Sequence, residues 1–72
     1  MVSERMMYNT FIATDDGVRF ECKTDIGVEY LSDTRRMMLG TDYFLRTKES
    51  AIEKMMSLVD EGYMAGICEY IE

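Results

Sequence analysis

Only one stretch of this chain holds a helical period long enough to make a substantial helix. Thr47 is suited to cap it, Lys48 to begin it with Glu49 in the dipole-favoured first turn, and Gly62 to end it. At about 100° per residue, Ala51, Ile52, Met55, Met56, Leu58 and Val59 fill one arc of roughly 160°. Glu53, Lys54, Ser57, Asp60 and Glu61 take the remainder. A helix with one apolar stripe must bury it on something else, and most of the chain around it reads as short strands. That combination predicts an α+β domain, an antiparallel sheet with this helix packed on one face. Asp60 and Glu61 break a local rule, because the C-terminal end of a helix dipole disfavours anions. They read as a solvated helix end or as an acidic contact patch.

Two runs rich in aromatic and β-branched residues flank Asp15-Asp16-Gly17, which predicts an N-terminal hairpin. In the second run Val18, Phe20 and Cys22 alternate with Arg19, Glu21 and Lys23. A two-residue loop at Asp16-Gly17 places Phe11 and Ala13 on the face of Phe20 and Cys22. A three-residue loop with a bulge at Gly17 places Tyr8, Thr10 and Ile12 there instead, and the former is preferred. A turn at Asp25–Gly27 leads to a third strand near Val28–Leu31. Ser32 or Asp33 is placed to cap a short second helix through Leu39, closed by Gly40. Residues 42–46, "DYFLR", read as a further short strand, for a sheet of four or five in all. Residues 1–4 read as a frayed end.

The closing segment, "YMAGICEYIE", is unusual because both of its faces are apolar. Tyr63, Ala65, Ile67 and Ile71 fall on one face, and Met64, Gly66, Cys68 and Tyr70 on the other. A strand buried on one side only should alternate with polar residues. The segment is therefore expected either in the centre of the sheet or with its second face covered by a partner, which points to a homodimer or a hetero-complex.

Seventy-two residues allow one domain, and a core this small supplies only about 3–5 kcal/mol, so a partner is a common supplement. The chain has no His, Trp, Pro or Gln. Without His it lacks the usual neutral-pH acid–base group and the commonest nitrogen ligand for metals. Cys22 and Cys68, with no Cys-x-x-Cys, read as free, buried thiols of a reducing compartment, and two Cys without His do not complete a structural zinc site. No run approaches the roughly 20 apolar residues of a membrane span, and "MVSERMMYNT" lacks the apolar core of a secretory signal, so a cytoplasmic protein is expected. Net charge is −6. Residues 1–48 hold eight acidic and seven basic side chains, whereas residues 49–72 hold six acidic side chains and Lys54 alone. This argues against direct nucleic-acid binding, which needs a basic footprint, and suits a partner with a basic surface.

Chemical constellations are sparse. The carboxylate pairs Asp15-Asp16, Asp60-Glu61 and Glu69 with Glu72 lie in a turn, at a helix end and at the terminus, where water solvates them, whereas acid–base work needs a partly apolar pocket. Asp15-Asp16-Gly17 lacks the ligand spacing of a calcium loop. Cys22 has no base to activate it. Arg35-Arg36 suits a phosphate or carboxylate, or simply a solvated helix face. No cofactor, metal or catalytic residue is expected.

In size and charge the chain resembles short bacteriophage-encoded modulators of host enzymes and defence systems, anti-restriction and anti-CRISPR proteins among them. The resemblance covers no motif and carries no residue over. It implies a small acidic, non-enzymatic protein that binds and modulates or inhibits a larger, basic protein partner, in one version as a nucleic-acid mimic. The expected partner-binding residues are Asp60, Glu61, Met56, Met64, Tyr70, Glu69 and Glu72. The alternative is a homo-oligomeric small-ligand or enzymatic domain, with Tyr, Arg35, Arg36 and carboxylates converging between subunits. Three Met doublets, Met6-Met7, Met37-Met38 and Met55-Met56, each follow a basic residue. On a strand such a pair points to opposite faces. On the helix Met55 falls inside the apolar arc and Met56 at its edge, so a doublet contributes one Met to the core and one to an adaptable rim.

Overall fold

Two turns of the same four-residue pattern organise the first half of the chain. In the computed structural model, which describes residues 6–71, β1 (Met6–Thr14), β2 (Gly17–Thr24) and β3 (Gly27–Leu31) are joined through Thr14-Asp15-Asp16-Gly17 and Thr24-Asp25-Ile26-Gly27. In each, the Thr Oγ1 donates to the Gly carbonyl, at 2.9 and 3.1 Å. In each, the Gly sits at φ 121°, a region that L side chains avoid. The expected loop at Asp16-Gly17 is displaced by one residue. The loop is Asp15-Asp16, Thr14 pairs with Gly17, and Phe11 lies opposite Phe20. The glycine's positive φ is used at the first residue of β2, while Thr14 Oγ1 accepts from the Asp16 amide inside the turn. Phe11, Ala13, Phe20 and Cys22 still share a face, as expected. Residues 1–4, expected to be frayed, lie outside the described residues.

The chain continues through α1 (Asp33–Leu39), β4 (Asp42–Tyr43), α2 (Lys48–Asp60) and β5 (Met64–Ile71). Both helices carry the expected caps. Ser32 Oγ accepts from the Arg35 amide and Thr47 Oγ1 from the Ser50 amide, and Gly40 closes α1 in the left-handed region. All strand pairs are antiparallel, in the order β3-β2-β1-β5 with β4 also on β2. The fold is thus the expected small α+β domain, with a five-stranded sheet and two helices.

β4 is shorter than the expected 42–46 because it fills a fork. β1 and β2 pair only from Phe11–Phe20 to the turn and then diverge. Asp42 and Tyr43 pair with Lys23 and Cys22, the Phe44 amide donates to the Glu21 carbonyl at 2.9 Å, and Arg46 exchanges two 2.8 Å backbone bonds with Tyr8. The segment crosses from β2 to β1, so it does not stay paired with either. At the crotch sits Asn9, the chain's only asparagine and fully buried. Its Nδ2 donates to the carbonyls of Glu21 (2.9 Å) and Phe44 (3.2 Å), so the backbones meeting there are satisfied by a side chain.

α2 packs on β1 and β5 alike, and Ala51 and Leu58 of the helix are buried, as is Ile12 of β1. The apolar arc is only half used. Ile52 and Met55 are half-buried, whereas Met56 and Val59 are 58% and 51% exposed. The opposite face of the sheet carries an aromatic run from Phe11 through Phe20 and Tyr43 to Tyr70, with ring centroids 5.5–6.3 Å apart. Phe11 lies across its cross-strand partner Gly66, where a Cβ would stand 2.6 Å from the ring. β5 is not central. It is an edge strand, and among the described residues its outer side has no strand partner. Its second face is partly covered from within the chain, by Phe11 over Gly66 and Tyr43 beside Tyr70.

Glu21 departs from the alternation that grouped it with exposed Arg19 and Lys23. It has no exposed surface. Arg46 grips both carboxylate oxygens (Nε–Oε1 2.8 Å, Nη2–Oε2 2.7 Å), and the Thr10 hydroxyl donates to Oε1 at 2.7 Å. The Tyr30 hydroxyl lies 2.9 Å from Thr10, and Arg46 Nη1 donates to Ser50 Oγ at 3.0 Å. Every buried side-chain polar atom among the described residues has a partner, as a buried charge requires.

Candidate interaction surface

α1 is seated without burying any residue. Its caps fix both ends, and Arg36 does the rest. The guanidinium lies 4.3 Å from the Tyr43 ring centroid, bonds the Thr41 carbonyl at 3.0 Å and pairs with Asp33 at 3.4 Å. The Tyr43 hydroxyl donates to Asp33, whose carboxylate raises the phenol's pKa above its usual range, with burial adding to the shift. With polar and cation–π contacts holding the helix down, its apolar residues are free of the fold. Met37, Met38 and Leu39 are 65%, 74% and 53% exposed. This doublet therefore places both methionines outside, unlike Met55-Met56.

Beside α1 lies an open depression of about 510 Å³ between the β2–β3 turn and the α1–β4 link. Leu39 and Ile26 supply its apolar part, and Asp25, Glu29 and Asp42 its charge, against Lys23 alone. Ile26, at the tip of the second Thr-Asp-x-Gly turn, is 84% exposed. Glu29 is held by the Thr24 hydroxyl at 2.8 Å. Among the described residues no three His, Cys, Asp or Glu side chains converge as metal ligands. A concavity with an apolar rim and spread carboxylates suits a long basic side chain, whose methylene stem and charged head need both kinds of neighbour.

The residues expected to bind a partner do not form one cluster. Met56, Asp60 and Glu61 lie exposed on the helix layer. Met64 and Tyr70 stand on the opposite face of the sheet, six residues apart along β5 and 76% and 42% exposed. Glu69 is exposed near Tyr8, its cross-strand partner, and Glu72 lies outside the described residues. The Arg35-Arg36 pair is split as well. Arg36 is committed to Tyr43, while Arg35 is exposed beside Arg19 and Tyr30 at a second depression. Both thiols are free, Cys22 buried and Cys68 half-buried, and burial raises both pKa values. No helix among the described residues is long and apolar enough to cross a membrane.

The exposure of Met37–Leu39, and the meeting of Leu39 with Ile26 at one depression, are not legible in the sequence because a seven-residue helix between turn signals carries too few turns for its inner and outer faces to be told apart. The repeated Thr-Asp-x-Gly pattern, which places Ile26 at a loop tip, was the available signal. No protein-family model, curated protein or solved structure matches the chain.

Proposed function

We propose that this protein is a small acidic interaction protein that binds a larger protein with a basic surface and modulates or inhibits it. The observation that carries the reading is α1, which is held in place by its caps and Arg36 while Met37, Met38 and Leu39 stay exposed, Leu39 on the depression that Asp25, Glu29 and Asp42 line. Large apolar side chains left exposed because the fold does not use them mark an interaction surface. Methionines suit one that must adapt to its partner. The surrounding carboxylates and the −6 charge steer a basic partner toward it. The finer reading, a phage-type modulator of a host enzyme or defence system, rests on size and charge.

The test is affinity capture with the wild-type chain beside Met37→Ser/Met38→Ser/Leu39→Ser and Asp25→Lys/Glu29→Lys/Asp42→Lys variants. The expected result is a basic protein retained by the wild type at low salt, lost from both variants and released as ionic strength rises. Equal retention by the variants, or indifference to salt, overturns the reading.

A further inference from the structure

We infer that the free edge of β5 is a homodimer interface, in which two copies pair β5 antiparallel about a two-fold axis at Ile67 and join their sheets into one. The backbone shows which groups await a partner. Tyr8 points its amide and carbonyl at Arg46, away from β5. By the alternation of an antiparallel ladder, Met7, Asn9, Phe11 and Ala13 therefore bond their β5 partners Tyr70, Cys68, Gly66 and Met64. Ala65, Ile67, Glu69 and Ile71 consequently turn their amides and carbonyls outward. This edge is eight residues long and carries no Lys, Arg or Pro, the residues that usually guard such an edge.

α2 makes the same side apolar. Its Ser50–Ser57–Glu61 stripe faces β2 and β3, because Ser50 bonds the Arg46 that holds Glu21, and the Glu61 charge acts on Tyr30. Ala51 and Leu58 point down into the core. At 100° per residue the remaining flank, which overhangs the β5 edge, carries Met55, Val59 and Ile52 with Lys48 in the first turn, and Met56 stands at its outer margin. A two-fold perpendicular to the sheet keeps both α2 helices on one side. With strands about 4.8 Å apart and α2 seated over β1 and β5, the two helix axes come to about 10 Å, the spacing of packed helices.

Charge and side-chain fit select the register. Centred on Ile67, Glu69 meets Ala65 of the other copy rather than Glu69, and Tyr70 meets Met64, a favourable thioether–aromatic contact. A centre at Cys68 instead sets Glu69 against Ile67. This interface rests on β5 and α2 rather than on α1, so it stands or falls separately from the function proposed above.

Sedimentation equilibrium of the full chain is expected to show a dimer that tightens with added salt, because each copy carries −6, whereas capture of a basic partner weakens with salt. Val59→Lys and Met56→Lys, both at exposed positions, are expected to keep the circular dichroism of the fold and weaken the dimer by more than about tenfold. In a mixture of methyl-labelled and unlabelled chains, an intermolecular Overhauser effect should join the Met64 methyl to the Tyr70 ring. Within one chain these groups are about 20 Å apart along β5. A monomer at millimolar concentration, an undisturbed dimer in both Lys variants, or a dimer without the Met64–Tyr70 effect overturns the proposal.

Discussion

Glu21 and Met38 exchange the places that polarity would assign them. Glu21, with Asn9 and Thr10, is at most 1% exposed, while Met38 in α1 is 74% exposed. Each displacement is explained by its neighbours. Glu21 tolerates burial because Arg46 and Thr10 satisfy both oxygens, and Met38 tolerates exposure because Arg36 and Tyr43 already hold its helix. In so small a domain the polar cluster ties β1, β2, β3 and the entry to α2 together through directed bonds, and apolar side chains are left over for the surface. The interior therefore contains the vulnerable contacts, and the surface contains the expendable ones.

The sharpest way to break that contrast is to open the polar cluster. Glu21→Ala leaves the Arg46 guanidinium without its carboxylate in a site only about one-fifth exposed, and removing one partner of such a pair costs about 3–5 kcal/mol. The expected result is a chain that is largely unfolded by circular dichroism at 25 °C. Glu21→Leu/Arg46→Met removes both charges and keeps the Thr10–Tyr30 bond, so it should recover most of the loss in urea titrations. If Glu21→Ala folds as well as the wild type, the cluster is not what holds these elements together.

Next in size is Gly66→Ala. The added Cβ meets the Phe11 ring at 2.6 Å, and overpacking of this kind costs about 1–3 kcal/mol. Phe11→Leu in the same chain makes room and should return part of the urea midpoint. An unchanged midpoint in Gly66→Ala would show that the ring swings away freely.

A smaller effect of the same interior appears at high pH. Burial raises the pKa values of Cys22 and Cys68, and that of Tyr30, whose hydroxyl also bonds Thr10. For each group the folded state holds its proton more tightly than the unfolded chain does. The stabilisation is complete below the unfolded values, about 8.5 for Cys and 10 for Tyr, and is lost as pH rises through the folded ones. The urea midpoint is expected to stay level through neutral pH and fall from about pH 8.5 upward, and Cys22→Ala/Cys68→Ala should flatten the first part of that fall. A midpoint that does not decline above pH 9 contradicts the burial of these groups.

What the sequence revealed follows the range of each signal. The helix at 48–60, the cap at Ser32 and the first hairpin rest on neighbours within four residues, and they stand where they were expected but for a one-residue displacement of the hairpin loop to Asp15-Asp16. The fork between β1 and β2 depends on residues 42–46 reaching back to Tyr8, a contact across nearly forty positions that no local period encodes. Glu21 shows the same limit: alternation gives the side of the sheet that it shares with Arg19 and Lys23, but its burial depends on the distant Arg46 that pairs with it. The placement of Met56 and Val59 shows the converse limit. Their period is correct, yet α2 sits over the β1–β5 pair, and among the described residues nothing covers Met56 and Val59 at the outer part of the arc.

The smallest expected effect is also the one that separates surface from interior. Met37→Ser and Met38→Ser remove apolar side chains that touch little, so each should shift stability by no more than about 0.5 kcal/mol, the range of ordinary surface changes. Ser lowers intrinsic helix propensity slightly, but the caps at Ser32 and Gly40 and the Arg36–Tyr43 contact are untouched. Urea midpoints of both variants should therefore overlay the wild type, while capture of a basic partner falls. A loss of stability comparable with that of Gly66→Ala would place Met37 and Met38 inside the fold's own packing. The distinction between a polar cluster that builds the domain and an apolar helix that serves a partner would then fail at the helix, while the cluster would stand unaltered.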